Sequence, residues 1–215
     1  MRDILGSINA MSRLEIPKAR RSLEDVQSEY GPIAEETRKS WLVPCSHTFF
    51  PAAPTASIEH TESELGFAIP SAYKQLLGIT NGAKLFCVKQ KWSEDISPGA
   101  LDIRYHLFGC DELVEVNTGL LASFRKFYAK DPEYKDCHQL NYLAFCDADG
   151  DYQSLLLDEP KDPQVFLLCH EFAYRPYDVR DADLNYKLAD SLRSWLELIC
   201  KSGGWEGRGM QTGDL

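Results

Sequence analysis

Apolar residues recur along this chain in two rhythms, and the switches between them lay out its elements. Between Ile58 and Gly82, the residues Tyr73, Leu76, Leu77 and Thr80 repeat at helical spacing on one face, which predicts a helix from Pro70 to the pair Asn81-Gly82. Pro70 suits the opening, because its missing N–H is one that a helix start leaves unpaired anyway. Asn81 and Gly82 tolerate positive φ and suit the stop. Just upstream, Thr61 followed three residues later by Glu64 has the spacing of a capping box, with Ser57 as a competing cap. Gly66 after Leu65 suits a left-handed terminator, and Phe67 and Ile69 alternate in an extended link. The stretch therefore reads as short helix, bend, second helix and stop, with its Tyr and Leu side chains pointing inward.

Beyond Gly82 the period changes to two. Ala83 to Lys89 reads as a strand, QKWSEDISPG as a polar loop, and Leu101, Ile103, Tyr105 and Leu107 alternate with Asp102, Arg104 and His106 in a half-buried strand. Asp111 is the expected cap of a turn through Val116, and Thr118 to Tyr128 carries Leu120, Leu121, Phe124, Phe127 and Tyr128 at helical spacing. Tyr142 to Cys146, a turn of Asp147, Ala148, Asp149 and Gly150, and Tyr152 to Leu157 predict an antiparallel hairpin. Leu192, Trp195, Leu196 and Ile199 form the apolar face of a last helix, capped by Ser191 or Asp190 and stopped at Gly203-Gly204. Leu184 to Ala189 fits either an extension of that helix or a strand.

Before Ile58 the pattern weakens. Helical pieces are expected around Ser22 to Tyr30 and Ile33 to Leu42, broken at Gly31-Pro32, while PCSHTFFPAAP from Pro44 to Pro54 reads as a linker or wrapped loop. The expected organisation is an N-terminal extension over 1–56, a domain over 57–203 and a flexible tail over 204–215. The expected architecture is α+β, a largely antiparallel sheet of about five or six strands covered by helices.

Several of these segments carry a family resemblance. The order acidic short helix, Leu65-Gly66, Ile69-Pro70, Tyr73-Lys74, Leu76-Leu77 and Asn81-Gly82 resembles the opening motif of the SUKH superfamily, the Syd/Knr-like proteins. NYLAFCDADGDYQSLLLD over 141–158, QVFLLCHE over 164–171 and SLRSWLELI over 191–199 resemble that family's hairpin, following strand and closing helix. The likeness covers about residues 57–201. Ile69 stands where Leu is usual before the proline, and the first 56 residues have no counterpart in the pattern. The resemblance implies a protein-binding module, either a bacterial immunity protein that neutralises a toxin such as a nuclease or deaminase, or a fungal regulator of cell-wall synthesis and signalling.

Charge sharpens that expectation. The chain has 215 residues and a formal net charge of −10, and 44% of its residues are hydrophobic, enough to bury a full core. Residues 1–56 carry 7 basic and 7 acidic side chains, whereas 131–183 carry 13 acidic against 4 basic, a balance of −9. Such a stretch repels nucleic acid and attracts a basic partner, acting on association rate more than on final affinity. The plainer alternative is a solvated surface that maintains solubility. With no apolar run of about 18 residues and no signal-peptide order at the start, the expected location is cytoplasmic. The seven cysteines are scattered without a CxxC pair and read as reduced thiols.

Reactive chemistry finds little support. Asp147, Asp149 and Asp151 are spaced as oxygen ligands for a hard cation might be, but Asp158 stands where an EF-hand needs Glu, so tight-turn chemistry is the favoured explanation. Cys137-His138 and Cys169-His170 suggest zinc or a nucleophile, yet neighbours in a strand point to opposite faces. His170-Glu171 lacks the second histidine of HExxH, and no GxSxG, GxxxxGK[ST] or GxGxxG pattern is present. Tyr73 and Trp195 are assigned to packing. Neither a catalytic residue, a cofactor nor a metal is expected. The expected partner is a protein, with direct contact to nucleic acid or membrane not expected, and Asp147, Asp149, Asp151 and Glu159 are the first candidates for the binding surface. A regulatory or scaffolding module that uses the N-terminal extension is the second reading, and an enzyme of unknown class the third.

Overall fold

The computed structural model describes residues 1–15, 42–89, 101–130, 138–148, 150–157, 161–168, 185–202 and 204. The expected helices around Ser22 to Tyr30 and Ile33 to Leu42, apart from Leu42 itself, lie outside these residues, as does QKWSEDISPG. In chain order the elements are α1 (Arg2–Asn9), β1 (Arg13–Glu15), β2 (Leu42–Pro44), β3 (Ser46–Phe49), α2 (Thr55–Leu65), α3 (Ser71–Leu77), β4 (Ala83–Lys89), β5 (Leu101–Asp102) and β6 (Tyr105–Leu107). They continue with α4 (Cys110–Phe127), β7 (Tyr142–Ala148), β8 (Asp151–Leu156), β9 (Val165–Leu168), β10 (Asn185–Ala189) and α5 (Leu192–Lys201).

The architecture is α+β. The main sheet runs β10-β9-β8-β7-β6-β4-β3, with the short β5 on the far end of β4, and all of its pairings are antiparallel. β1 and β2 form a separate two-stranded ladder. The sheet exceeds the expected five or six strands for two reasons. β3 comes from the Pro-rich segment read as a linker, where four residues between Pro44 and Pro51 pair with β4. Leu184 to Ala189, ambiguous in sequence, supplies β10 as a partner of β9. The single strand expected over Leu101 to Leu107 is divided, because β4 carries a bulge at Phe86, whose φ is +53°, and β6 and β5 pair on either side of it.

Two helix starts also differ from expectation. α2 begins after Pro54, six residues before Thr61, so Thr61 lies mid-helix. There it is buried, and its hydroxyl donates to the Ser57 carbonyl at 2.9 Å, the back-bonding of a helical threonine rather than a cap. Likewise α4 begins after Gly109, so Asp111 sits inside its first turn, and the helix continues unbroken through Asn117. The left-handed Gly66 terminator (φ +76°), the buried Tyr73, Leu76, Leu77 and Thr80 and the Ser191 cap of α5 match the reading.

Both faces of the central strands are covered, which is why β7 and β9 read as apolar runs, whereas β8 buries Gln153 and Ser154 beside its leucines. On one face, Ile4, Leu5 and Ile8 of α1, Tyr73, Leu76 and Leu77 of α3 and Leu192, Trp195, Leu196 and Ile199 of α5 pack with Leu85, Tyr105, Leu143, Phe145, Leu155 and Val165. On the other, Leu120 and Phe124 of α4 pack on Tyr142, Ala144, Leu156, Phe166 and Leu168. An edge-to-face aromatic series crosses the first layer from Tyr73 to Phe145, Trp195, Tyr105, Phe86 and His47, with ring centroids 4.8 to 6.1 Å apart.

Side chains from both layers finish the backbone of β7. β6 pairs with β7 only at His106 and Leu107, opposite Asp147 and Cys146, so Ala144 lies beyond the ladder next to a register shift. The buried amide of Asn117 takes up that position: its Oδ1 accepts from Ala144 N and its Nδ2 donates to Ala144 O, both at 2.9 Å. From the opposite layer the Tyr73 hydroxyl, fully buried, lies 2.7 Å from Phe108 O and 3.1 Å from Phe145 O. Burial drives the Tyr73 phenol well above its ordinary pKa, so it remains a donor. Asn117→Ala would strand a buried N–H and a buried C=O and is expected to lower stability by about 3 kcal/mol in urea unfolding. Asn117→Leu, which restores volume without hydrogen bonds, should be no better; a loss under about 1 kcal/mol would mean that water replaces the amide.

Candidate partner-binding surface

The candidate surface is organised around the start of α4, which has no side-chain cap of its own because Gly109 precedes it. Two carboxyl-type groups supply what is missing. Asn81 Oδ1 accepts from Cys110 N at 2.8 Å, across 29 positions of sequence, and Glu112 Oε2 accepts from Gly109 N at 2.9 Å. The Asn81 contact requires a close approach of two backbone segments. Gly82 has φ +91°, and a Cβ there would lie 2.8 Å from Gly109 N and from Leu107 O. Asn81-Gly82 does not stop α3, which ends at Leu77 with Gly78 as its cap; the pair lies beyond that end and is the seat on which the start of α4 rests.

With α4 held there, the first turn carries Asp111 and Glu112, and exposed Glu115 follows on the next turn, while Arg125 and Lys126 occupy its last turn. Each sign complements the helix dipole at its end. Glu112 also reaches the sheet, with Oε1 2.9 Å from His106 Nε2. The strand registers align Thr48, Lys84, His106, Asp147, Tyr152 and Leu168 across β3, β4, β6, β7, β8 and β9. Directly opposed residues share a face, so this row lies on the α4 side of the sheet. Leu168 is buried there, whereas Lys84, His106, Asp147 and Tyr152 are half-buried.

The sequence candidates fall as follows. Asp147 is the penultimate residue of β7 and Asp151 opens β8, both half-buried, and Ala148 pairs with Asp151. Asp147 Oδ1 accepts from Gly150 N at 2.9 Å, and Gly150 has φ +91°, so this carboxylate shapes the tight turn. Asp149 and Glu159 lie outside the described residues, as do 131–137 and 169–184 of the acidic stretch. Asp111, Glu112, Glu115, Lys84 and His106 were missed, because they come from three elements that only the fold brings beside Asp147. One signal was available: Glu112 stands three residues after Gly109, the capping-box distance.

A profile of the SMI1 / KNR4 family (SUKH-1) matches residues 52–198. The chain belongs to this family. No curated protein matches it. The SUKH-1 match begins just before α2 and ends within α5, taking in both glycine approaches, the hairpin and the Trp195 face. β3 and α1 precede the match and nevertheless pack on the same core, through the β3–β4 ladder and through Ile4, Leu5 and Ile8. Membership is consistent with a toxin-immunity or a regulatory module. Among the described residues, no helix is long and apolar enough to cross a membrane.

Asn81→Ala should lower stability by about 1 kcal/mol, the usual effect of removing a helix cap. Gly82→Ala should cost more, since its methyl meets backbone rather than a movable side chain. Thermal unfolding of the two variants tests the order, and a milder Gly82→Ala would show that the 82–109 approach relaxes freely.

Proposed function

We propose that this SUKH-1 chain is a non-enzymatic protein-binding module that acts as an immunity protein, neutralising a toxin through an acidic surface at the α4 start and the β7–β8 turn. The observation that carries the reading is that Glu112 of α4 reaches His106, the β6 residue paired with Asp147. The acidic start of α4 (Asp111, Glu112, Glu115) thus comes beside the hairpin that carries Asp147 of β7 and Asp151 of β8, three elements in all. Asp149, in the same turn, and Glu159 complete the surface in this reading, with Lys84 and His106 at its margin. A toxin acting on nucleic acid, such as a nuclease or deaminase, presents a basic groove to its substrate. An acidic surface fits that groove, blocks access, and speeds encounter by electrostatic steering.

The regulatory reading draws on α1 and β3. Both belong to the core packing, so removing residues 1–50 would strip Ile4, Leu5, Ile8 and an edge strand along with any docking segment. Point variants on the surface discriminate better than truncation.

The test begins with the neighbouring genes: a toxin domain encoded there is the partner for association followed by stopped flow over a salt series, and the absence of one counts against immunity. Asp147→Lys combined with Asp151→Lys should lower the association rate about tenfold or more at low salt and flatten its salt dependence. Lys126→Glu with Lys130→Glu, at the opposite end of α4, serves as the control and should leave the rate unchanged. Equal rates for the acidic-end variant and the parent chain would rule the surface out.

A further inference from the structure

Opposite the β4 bulge, His47 of β3 joins three parts of the chain through one imidazole. Phe86 N donates to Nδ1 at 3.1 Å, and Nε2 lies 3.1 Å from the carbonyl of Met11, 36 positions earlier. A ring nitrogen that accepts from an amide carries no proton, so the proton sits on Nε2 and points at Met11 O. The ring also meets Phe86 edge-to-face, with centroids 4.8 Å apart. Phe86 holds φ +53°, which makes it the single non-glycine residue with positive φ among those described. Left-handed backbone is unfavourable for a bulky residue and persists only where its surroundings enforce it.

Phe86 in turn seats the turn after α5. Gly204 follows α5 with φ +88°, and a Cβ there would fall 2.7 to 2.9 Å from the Phe86 ring. Gly204 N donates to Ile199 O at 2.7 Å, and its carbonyl accepts from the Tyr105 hydroxyl at 2.9 Å. The turn after α5 is therefore shaped to the Phe86 ring in its left-handed setting.

We propose that His47 is a proton-sensitive latch: neutral, it pins the Met11 turn and the Phe86 bulge together, and proton uptake at Nδ1 frees the Phe86 amide and loosens the Gly204 turn beneath that ring. Burial alone lowers the His47 pKa below its usual 6.5, with the Met11 carbonyl opposing. The titratable group against the ring is a thiol, that of Cys45 just before β3, with Sγ 3.9 Å from Nε2, and Cys87 of β4 acts in turn on Cys45. Burial raises the Cys45 pKa, so this thiol brings no charge near neutrality. Lys84 pairs with Thr48, the neighbour of His47 that points to the opposite face. The released state binds the proton more readily than the latched one. The latch is therefore complete above about pH 6.5 and is lost as pH falls from there through the lowered folded value.

Hydrogen exchange of the full chain, followed by NMR from pH 7.5 to 5, tests this. The protection factor of the Phe86 amide should fall about tenfold per pH unit within the titration window, and the Gly204 amide should follow. His47→Gln offers a carbonyl to Phe86 N and an amide N–H to Met11 O without titrating, so its protection should stay flat. A flat parent profile, or the same fall in His47→Gln, overturns the latch. Should that variant fail to fold, ring nitrogen shifts of the parent chain decide: an Nε2–H tautomer at pH 7.5 supports the latch, and an Nδ1–H tautomer overturns it.

Discussion

The backbone of β7 where β6 ends is the constraint on which the rest of the structure depends. A strand in the middle of a sheet buries its polar groups, and any that lack a neighbouring strand must find partners elsewhere. Here Asn117 from one layer takes both polar groups of Ala144, and from the other the Tyr73 hydroxyl joins the amide of Phe108 at the carbonyl of Phe145. Each side chain is anchored in a helix, so the same bonds that satisfy β7 also set how α3 and α4 lie on the sheet. The ring contacts of Phe145 with Tyr73 and Trp195 extend the arrangement to α5. Hydrophobic burial drives these layers together without direction, and the hydrogen bonds select one registry among those that would bury similar area.

Placing α4 this way has an electrostatic consequence. Its acidic first turn comes to rest beside the β7–β8 turn, and its basic last turn points to the other end of the sheet. The charges at each end suit the helix dipole, so a stabilising pattern and a polarised surface arise from the same residues. Asp147 shows the overlap well. One of its oxygens closes the turn on Gly150, while the residue still belongs to the row that includes His106 and Tyr152. A surface built in this way is rigid, which limits the entropy lost when a partner binds.

The edge of the sheet obeys a different logic. β3 pairs with β4 only around a bulge, and the amide of Phe86 bonds to a side chain, not to a strand. The N-terminal turn at Met11, the edge strand and the turn after α5 thus share one site. Its integrity depends on the protonation of a single imidazole, in contrast to the β7 centre, where no partner changes charge near neutrality.

Local signals were enough to identify much of this chain. Gly66, Pro70, the Tyr73 to Leu77 face, the Ser191 cap and the apolar runs of β7 and β9 follow from helix and strand periods, because backbone sterics and burial act over a few residues. The same signals misassigned Thr61 and Asp111 as caps, since several polar residues near a helix start satisfy the local rule and packing chooses among them. β3 was hidden because its partner β4 lies more than thirty positions away and its own flanks are proline. Asn81-Gly82, expected to stop α3, lies past its end at Leu77, and its part in capping α4 left no local signal. The bonds of Asn117 to Ala144 and of His47 to Phe86 leave no periodic trace at all. The sequence by itself determined most of the helices and strands that follow Thr55, and that the chain carries excess negative charge. Only the tertiary structure decided which carboxylates share a surface and which side chains complete the sheet, because those relations link residues that are distant in the chain and adjacent only once it has folded.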